Sequence, residues 1–193
     1  MYNPLGFVAP FILPAKIILQ DLCKKKLGWD DKIPEEDVNR WKAWLESLPL
    51  LERFCTERCC KPTNFAEVTS SQLHYFSDAS QLAYGAVSYL RMVSAQGDVH
   101  CSFVMGKSRL GPLKPVTIPR MELSAAVLST RLDRIIRDEI ELPIQEGVYW
   151  TDSTCVLRYI ENDARRYQTF VANLVSAIRE QSSPCQWKYV DTS

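Results

Sequence analysis

The sequence predicts an α/β protein built on a mixed five-stranded sheet, with flanking helices and a mostly helical segment in front of it. Three strand-like segments follow one another between residues 73 and 105, which favours an antiparallel meander. They are followed by a long amphipathic helix, an apolar strand, two shorter helices and a final strand. Because β–α–β crossovers join parallel strands, the sheet is expected to combine antiparallel and parallel pairing.

Alternating side chains and a turn signal locate the strands. Apolar residues occupy every second position of residues 99–105, and Gln96-Gly97-Asp98 just before them is typical of a hairpin turn. Residues 148–150 are continuously apolar, as expected of a central strand. The five strands are predicted at residues 73–76, 83–93, 99–105, 148–150 and 186–190.

Helical spacing of apolar residues predicts the elements that cover the sheet. Residues 120–140 follow Pro119 and carry one apolar face, so they are expected to form the crossover helix. Residues 153–162 and 168–181 are predicted to be shorter helices on the same grounds.

Residues 1–60 are predicted to be a separate, mostly helical segment. Proline makes residues 1–22 look extended or turn-rich, with a short helix at 15–26. A second helix is expected at 34–48, where acidic residues of the first turn favour the helix dipole and Pro49 ends the helix. Residues 61–72 are expected to be a linker, and residues 73–193 to form the sheet domain.

Composition limits the function classes. A hydrophobic fraction of 46% excludes a disordered chain, and a formal net charge of zero means that any nucleic-acid contact needs a local basic patch. Seven cysteines without a C-x-x-C pair, and two histidines, make a zinc site unfavourable and fit reduced thiols. No segment resembles a membrane span or secretion signal, so we expect an intracellular protein, cytoplasmic or nuclear, with no membrane partner.

Three carboxylates lie where an α/β sheet gathers functional groups. Asp78 ends the first predicted strand, Asp152 ends the fourth, and Glu122 lies in the first turn of the crossover helix. Taken singly, Asp78 fits a turn residue, Asp152 fits a helix N-cap, and Glu122 fits a partner of the helix dipole. Taken together they predict a catalytic site whose three acids bind Mg²⁺ (or Mn²⁺), the cations that favour all-oxygen ligands.

Several motifs then point to a family. They are Tyr2-Asn3-Pro4-Leu5-Gly6-Phe7, Phe76-Ser77-Asp78-Ala79-Ser80, Tyr84-Gly85-Ala86-Val87, Thr117-Ile118-Pro119-Arg120-Met121-Glu122-Leu123, Trp150-Thr151-Asp152-Ser153 and Phe170-Val171-Ala172-Asn173. With this spacing the chain resembles the Pol polyprotein of BEL/Pao retrotransposons, and residues 73–193 resemble a type 1 RNase H domain. The same region of that family also carries the label Pao retrotransposon peptidase.

The resemblance implies a metal-dependent nuclease that hydrolyses the RNA strand of RNA–DNA hybrids. It implies that residues 1–60 are the tail of a reverse transcriptase with its connection, and that the partners are the rest of a Pol polyprotein (reverse transcriptase, integrase) and nucleic acid. The family's fourth carboxylate lies in an Asn-Pro-Ala-Asp-like stretch that is absent from this sequence. The expectation is therefore a domain truncated before its last helix, either an enzyme or a non-catalytic nucleic-acid-binding or interaction remnant.

Two further interpretations concern substrates. All charges between His100 and Met121 are basic, which marks Lys107, Arg109, Lys114 and Arg120 as candidate phosphate contacts or as a solvated loop. Arg165-Arg166 is a second basic candidate. An aspartic peptidase is disfavoured, because its Asp-Thr/Ser-Gly triplet does not occur.

Overall fold

The computed structural model describes residues 3–57, 59–162 and 167–191, and its centre is a five-stranded sheet. The strands are β1 (Val68–Ala79), β2 (Ala83–Ser94), β3 (Val99–Leu110), β4 (Val148–Thr151) and β5 (Trp187–Tyr189). The helices are α1 (Ala9–Lys24), α2 (Glu35–Ser47), α3 (Ile118–Glu139), α4 (Thr154–Glu161) and α5 (Thr169–Arg179). Short 3-10 helices occupy Leu48–Arg53 and Pro184–Gln186.

The strand order β3-β2-β1-β4-β5 confirms the predicted mixed sheet. β1, β2 and β3 form the antiparallel meander, whereas β4 pairs in parallel with β1 on one side and β5 on the other. The helix α3 makes the crossover from β3 to β4 and packs on β1 and β2. It therefore covers one face of the sheet and fixes the direction in which β4 enters.

The two faces of the sheet differ because alternate residues of each strand point to opposite sides. Tyr75 and Tyr149 are buried on the α3 side, where Leu123, Leu132 and Ile136 of α3 complete the core. Phe76 and Trp150 follow them in sequence and stack on the opposite face, where Phe76 is 36% exposed. One face is thus a closed core, and the other is an accessible aromatic surface.

The strands of the meander are longer than the sequence predicted. β1 begins at Val68, inside the predicted linker, because its first residues pair with the end of β2 at Met92–Ser94. β3 continues to Leu110 rather than ending at residue 105, because β2 supplies partners as far as Ala83. Pairing along the whole of β2 outweighs the weak local signals at both ends.

The start of the chain differs most from the prediction. α1 begins at Ala9, in a segment expected to be extended. Pro10 fits the first helical turn, where an N–H has no helical partner, and Pro14 is accommodated inside the helix. The 3-10 helix at Leu48–Arg53 carries the chain past Pro49, where the second helix was expected to stop.

Polar contacts hold α1 and α2 together. Asp37 of α2 is buried and bonds to Lys25 and Arg40. The hydrogen bond from Lys25 holds the pKa of the Asp37 carboxyl below its usual value, since it favours the charged form more than burial opposes it. Trp44 Nε1 donates to the carbonyl of Phe11 at 2.9 Å. In the part of the chain that the structure describes, no helix has the length and apolar character needed to cross a membrane.

Hydrogen bonds dock this N-terminal segment on the edge strand β3 and on Gly111, which directly follows it. The amide of Gly106 donates to the carbonyl of Leu5 at 2.8 Å, and Gln20 Nε2 donates to the carbonyl of Gly111 at 2.6 Å. Gly6 has a φ of +85°, and a Cβ added to it would lie 1.7 Å from the Gly106 carbonyl oxygen. The close approach therefore requires glycine at position 6.

Replacing Gly6 with alanine is expected to detach the N-terminal segment from β3, because the new methyl overlaps the Gly106 carbonyl. Hydrogen exchange at the Gly106 amide should then accelerate. Gly97→Ala is a matched control: Gly97 has a φ of +89° but nothing within 4 Å of an added Cβ. That control should lower the free energy of unfolding by only about 1–2 kcal/mol, the cost of a left-handed backbone for a residue with a Cβ. Unchanged Gly106 protection in Gly6→Ala would contradict the docking.

Hydrogen bonds to Asp133 join β1 to α3. The Tyr75 hydroxyl donates to Asp133 Oδ1 at 2.7 Å, and Arg137 Nε donates to the same oxygen at 2.8 Å. Burial, followed by the charge of Asp133, raises the pKa of the Tyr75 phenol well above its usual value, so this group stays protonated. Arg137 Nη2 also donates to the carbonyl of Gln145 at 2.9 Å, which fastens the loop before β4.

Removing the Tyr75 hydroxyl with Tyr75→Phe should lower the free energy of unfolding by about 1–3 kcal/mol, the scale of a hydrogen bond to a charged group. Urea titration followed by tryptophan fluorescence measures the change. Tyr89→Phe is the control, since Tyr89 is 36% exposed on the opposite face and should change stability by less than about 0.5 kcal/mol. Equal effects of the two substitutions would show that the bond to Asp133 is not stabilising.

Candidate functional site

The parallel pairing of β1 and β4 places two of the predicted acids at one edge of the sheet. Phe76 pairs with Trp150 in the register; Asp78 lies two residues further along β1, and Asp152 directly follows the end of β4 at Thr151. They therefore lie at the same edge of the sheet, where two neighbouring parallel strands end. Both line a groove of about 880 Å³ between the aromatic face of the sheet and the N-terminal segment.

The surroundings of Asp78 leave its side chain open to solvent. It is exposed, and its Oδ1 accepts a hydrogen bond from the Ala79 amide at 2.6 Å. Gly85 lies opposite Asp78 on β2, where a Cβ would lie 3.2 Å from the Lys107 carbonyl oxygen. Because Gly85 has no side chain, the groove stays open beside the Asp78 carboxylate.

Glu122 reaches the same region from α3. Since α3 begins at Ile118, Glu122 lies in the second helical turn, not in the first turn as expected. Its Oε2 accepts a hydrogen bond at 2.6 Å from the Ser153 hydroxyl, directly after Asp152 in the chain. The Glu122 carboxylate is thus tied to the β4–α4 connection, and the lining of the groove includes Asp78 and Asp152 but not Glu122.

Sequence reasoning missed Ser153. It considered Asp152 as the N-cap of the following helix, but the N-cap of α4 is Ser153, whose Oγ accepts from the Val156 amide at 3.2 Å. The Ser-Thr pair after Asp152 is the signal that would have identified it. Asp152 is therefore not needed as a cap.

The donor atoms fit a hard divalent cation, but their arrangement is only partly assembled. Three carboxylates offer the all-oxygen ligands that Mg²⁺ and Mn²⁺ prefer. Across residues 3–57, 59–162 and 167–191, however, no three His, Cys, Asp or Glu side chains form a group able to hold a metal ion. Asp78 and Asp152 line the same groove, whereas Glu122 is bonded to Ser153 and is not part of that lining.

Aromatic side chains form the floor of the groove. Phe76 stacks on Trp150 with ring centroids 6.1 Å apart, and Tyr89 lies edge-on to Phe76. Trp150 Nε1 donates to His74 Nδ1 at 3.0 Å, while His74 Nε2 lies 3.1 Å from Gln72 Oε1. Since Nδ1 accepts, Nε2 must carry the proton that bonds to Gln72, so the imidazole is neutral.

The four predicted basic contacts are spread over a wider area. Lys107 lines the groove and pairs with Ala86 on β2, whereas Arg109 and Lys114 are exposed. Arg120 Nη2 donates to Gln168 Oε1 at 2.7 Å, at the start of α5. Arg165-Arg166 lies outside the described residues. Phosphate binding by these residues stays a prediction.

Solved structures with known functions resemble this chain at low identity. RNase H1 of the archaeon Halobacterium salinarum is 13% identical, with a TM-score of 0.40 over 63% of this chain and 86% of that one. LC11 RNase H1, bound to an RNA/DNA hybrid, is 10% identical, with a TM-score of 0.38 over 63% and 83%. The foamy virus protease–reverse transcriptase, bound to double-stranded DNA, is 15% identical with a TM-score of 0.49. It covers 100% of this chain, which spans 29% of the viral protein. No curated protein matches the chain.

The mixed five-stranded sheet with flanking helices is that of an RNase H-like fold. A family model described as Pao retrotransposon-like RNaseH-like domain matches residues 1–153. The chain belongs to this family, and the retrotransposon origin predicted from its motifs is confirmed. The match includes both aspartates, Glu122 and the N-terminal segment.

The hydrogen bond from Trp150 predicts a pH effect at His74. Burial, and then the positive charge of Arg91, lower the pKa of His74 from its usual 6.5. Between the pKa of His74 in the folded chain and its pKa of 6.5 in the unfolded chain, the unfolded chain binds more protons. The contribution of neutral His74 to the free energy of unfolding is therefore complete above pH 6.5 and is lost as the pH falls through the pKa of the folded state. NMR titration of the imidazole should give a midpoint below 6.5.

His74→Gln serves as the control for that prediction, because it removes the titrating group. Unfolding free energies measured at pH 5 and pH 7.5 should differ less in this variant than in the wild type. A His74 midpoint at or above 6.5 would contradict the neutral imidazole.

Proposed function

We propose that this domain hydrolyses the RNA strand of RNA–DNA hybrids with the help of divalent cations, Mg²⁺ or Mn²⁺. The observation that supports the proposal is that Asp78 and Asp152, at the ends of the neighbouring parallel strands β1 and β4, line the same groove. Two carboxylates at one edge of the sheet offer a divalent cation oxygen ligands from both sides. Membership of a retrotransposon RNase H-like family supports RNA–DNA hybrids as the substrate class.

Each acid has a part in this proposal. Asp78 and Asp152 hold cations at the open edge of the groove, and Glu122 completes the ligands from the side of α3. When bound, a pair of such ions activates a water molecule and stabilises the leaving oxygen of the phosphodiester. The protein contributes the fixed positions of the carboxylates, which come from three elements that the core holds together.

Recognition of the hybrid is proposed to be independent of base sequence. Lys107, Arg109, Lys114 and Arg120 offer charges for phosphate oxygens, and 2′-hydroxyl groups distinguish the RNA strand from DNA. The rest of a Pol polyprotein, including reverse transcriptase and integrase, is the proposed context of the domain. Its seven cysteines are all unpaired, which supports a reducing, intracellular location in cytoplasm or nucleus.

A non-catalytic role in nucleic-acid binding is the second candidate. It is favoured by the absence, among the described residues, of three acidic or other ligand side chains already grouped for a metal ion. In this case the fold and the basic residues bind the hybrid, but the carboxylates do not support hydrolysis. The two candidates therefore share binding and differ in cleavage.

Cleavage of a labelled RNA–DNA hybrid in Mg²⁺ tests the proposal. Asp78→Asn keeps the shape of the side chain but removes its charge, and we expect a loss of about 100-fold or more, as for other groups that stabilise charge in a transition state. Asp138→Asn is the matched control, since Asp138 is exposed on α3, and should leave the rate unchanged. Hybrid binding with no Mg²⁺-dependent cleavage by the wild type would establish the second candidate instead.

A further inference from the structure

We infer that Ser153 is a positioning residue, whose hydroxyl holds the Glu122 carboxylate beside the residue that follows Asp152, from where it completes the proposed cation site. This inference rests on the proposed function. Ser153 is 7% exposed and lies between the acid-bearing end of β4 and the first turn of α4. Its hydroxyl donates to Glu122 Oε2 at 2.6 Å, a short contact typical of a hydrogen bond to a charged oxygen.

The Ser153 hydroxyl is fixed from both sides. A serine hydroxyl has a single hydrogen to donate, and here that hydrogen is directed to Glu122. The oxygen also accepts from the Val156 amide at 3.2 Å as the N-cap of α4, and the Ser153 amide donates to Thr151 Oγ1 at 3.1 Å. These backbone bonds leave the hydroxyl little freedom to rotate away from the carboxylate.

The hydrogen bond from Ser153 makes the two carboxylate oxygens of Glu122 different. Oε2 is bound by Ser153, while Oε1 accepts no hydrogen bond from any of the described residues. Glutamate has several rotatable bonds, and ordering it costs conformational entropy. The Ser153 bond orders the side chain during folding, so less ordering is left for the moment when a cation binds. A hydroxyl at position 153 therefore raises cation affinity without itself touching the cation.

Cation binding to the full chain without nucleic acid tests the inference directly. We expect Ser153→Ala to weaken Mn²⁺ binding by about 10-fold, as measured by electron paramagnetic resonance, which lies at the lower end for a residue that orients a metal ligand. Ser153→Thr retains both the donor and the cap, so its affinity should stay within about twofold of the wild type. In the cleavage assay, Ser153→Ala should raise the Mg²⁺ concentration needed for half-maximal rate more than it lowers the rate at saturation.

A double-substitution cycle separates positioning from the capping of α4. If Ser153 acts through Glu122, adding Ser153→Ala to Glu122→Gln should weaken Mn²⁺ binding far less than in the wild-type background. A loss of the cap lowers the melting temperature equally in both backgrounds and leaves Mn²⁺ affinity untouched.

The outcomes distinguish this inference from the proposed function. Wild-type affinity in Ser153→Ala, or an equal loss in both backgrounds, would overturn the positioning role while hydrolysis by the wild type stands. Mn²⁺ binding that depends on Ser153, in a wild type that does not cleave the hybrid, would overturn the proposed hydrolysis and support the positioning role. A wild type that binds no Mn²⁺ would overturn both.

Discussion

The arrangement of this molecule depends on three residue pairs between β1 and β4, from His74 with Val148 to Phe76 with Trp150. Because the two strands run in the same direction, their carboxyl ends meet at one edge, and two acids 74 residues apart in the chain, Asp78 and Asp152, line the same groove. The surrounding structure stabilises this pairing. α3 covers one side of it, and the bonds of Asp133 and Arg137 tie β1, α3 and the loop before β4 into one unit. Parallel pairing is slightly weaker per residue than antiparallel pairing, so this support from the core matters.

One face of the sheet forms the buried core, and the other forms the groove. On the α3 side, Tyr75 and Tyr149 stack with ring centroids 5.0 Å apart inside a continuous apolar core. On the other side, Phe76 and Trp150 stack in a groove that the N-terminal segment borders. The period of two along β1 thus separates core side chains from groove side chains: Tyr75 and Ser77 are buried, while Phe76 and Asp78 are exposed.

Local pattern was enough to predict most of the sheet but not its limits. The meander, the crossover helix and the end positions of Asp78 and Asp152 follow from alternation, helical spacing and strand order. The extra residues of β1 and β3 were not predictable, since long-range pairing with β2 creates them. The first helix was predicted to begin later than α1 does, because Pro10 and Pro14 were interpreted as excluding a helix. The link from Ser153 to Glu122 joins two elements across 31 positions, and no local signal encodes which acid a capping serine will contact.

The docking of Leu5 and Gly6 on β3 has a consequence for association between chains. β3 is a twelve-residue edge strand, and an open edge presents unpaired amides and carbonyls on which a foreign strand can add. The Leu5 carbonyl satisfies the amide of Gly106 near the middle of this edge, and the backbone of Gly6 lies against it. The opposite edge, β5, is only three residues long and gives little length for such growth. The N-terminal segment therefore also shields the domain against strand-to-strand aggregation.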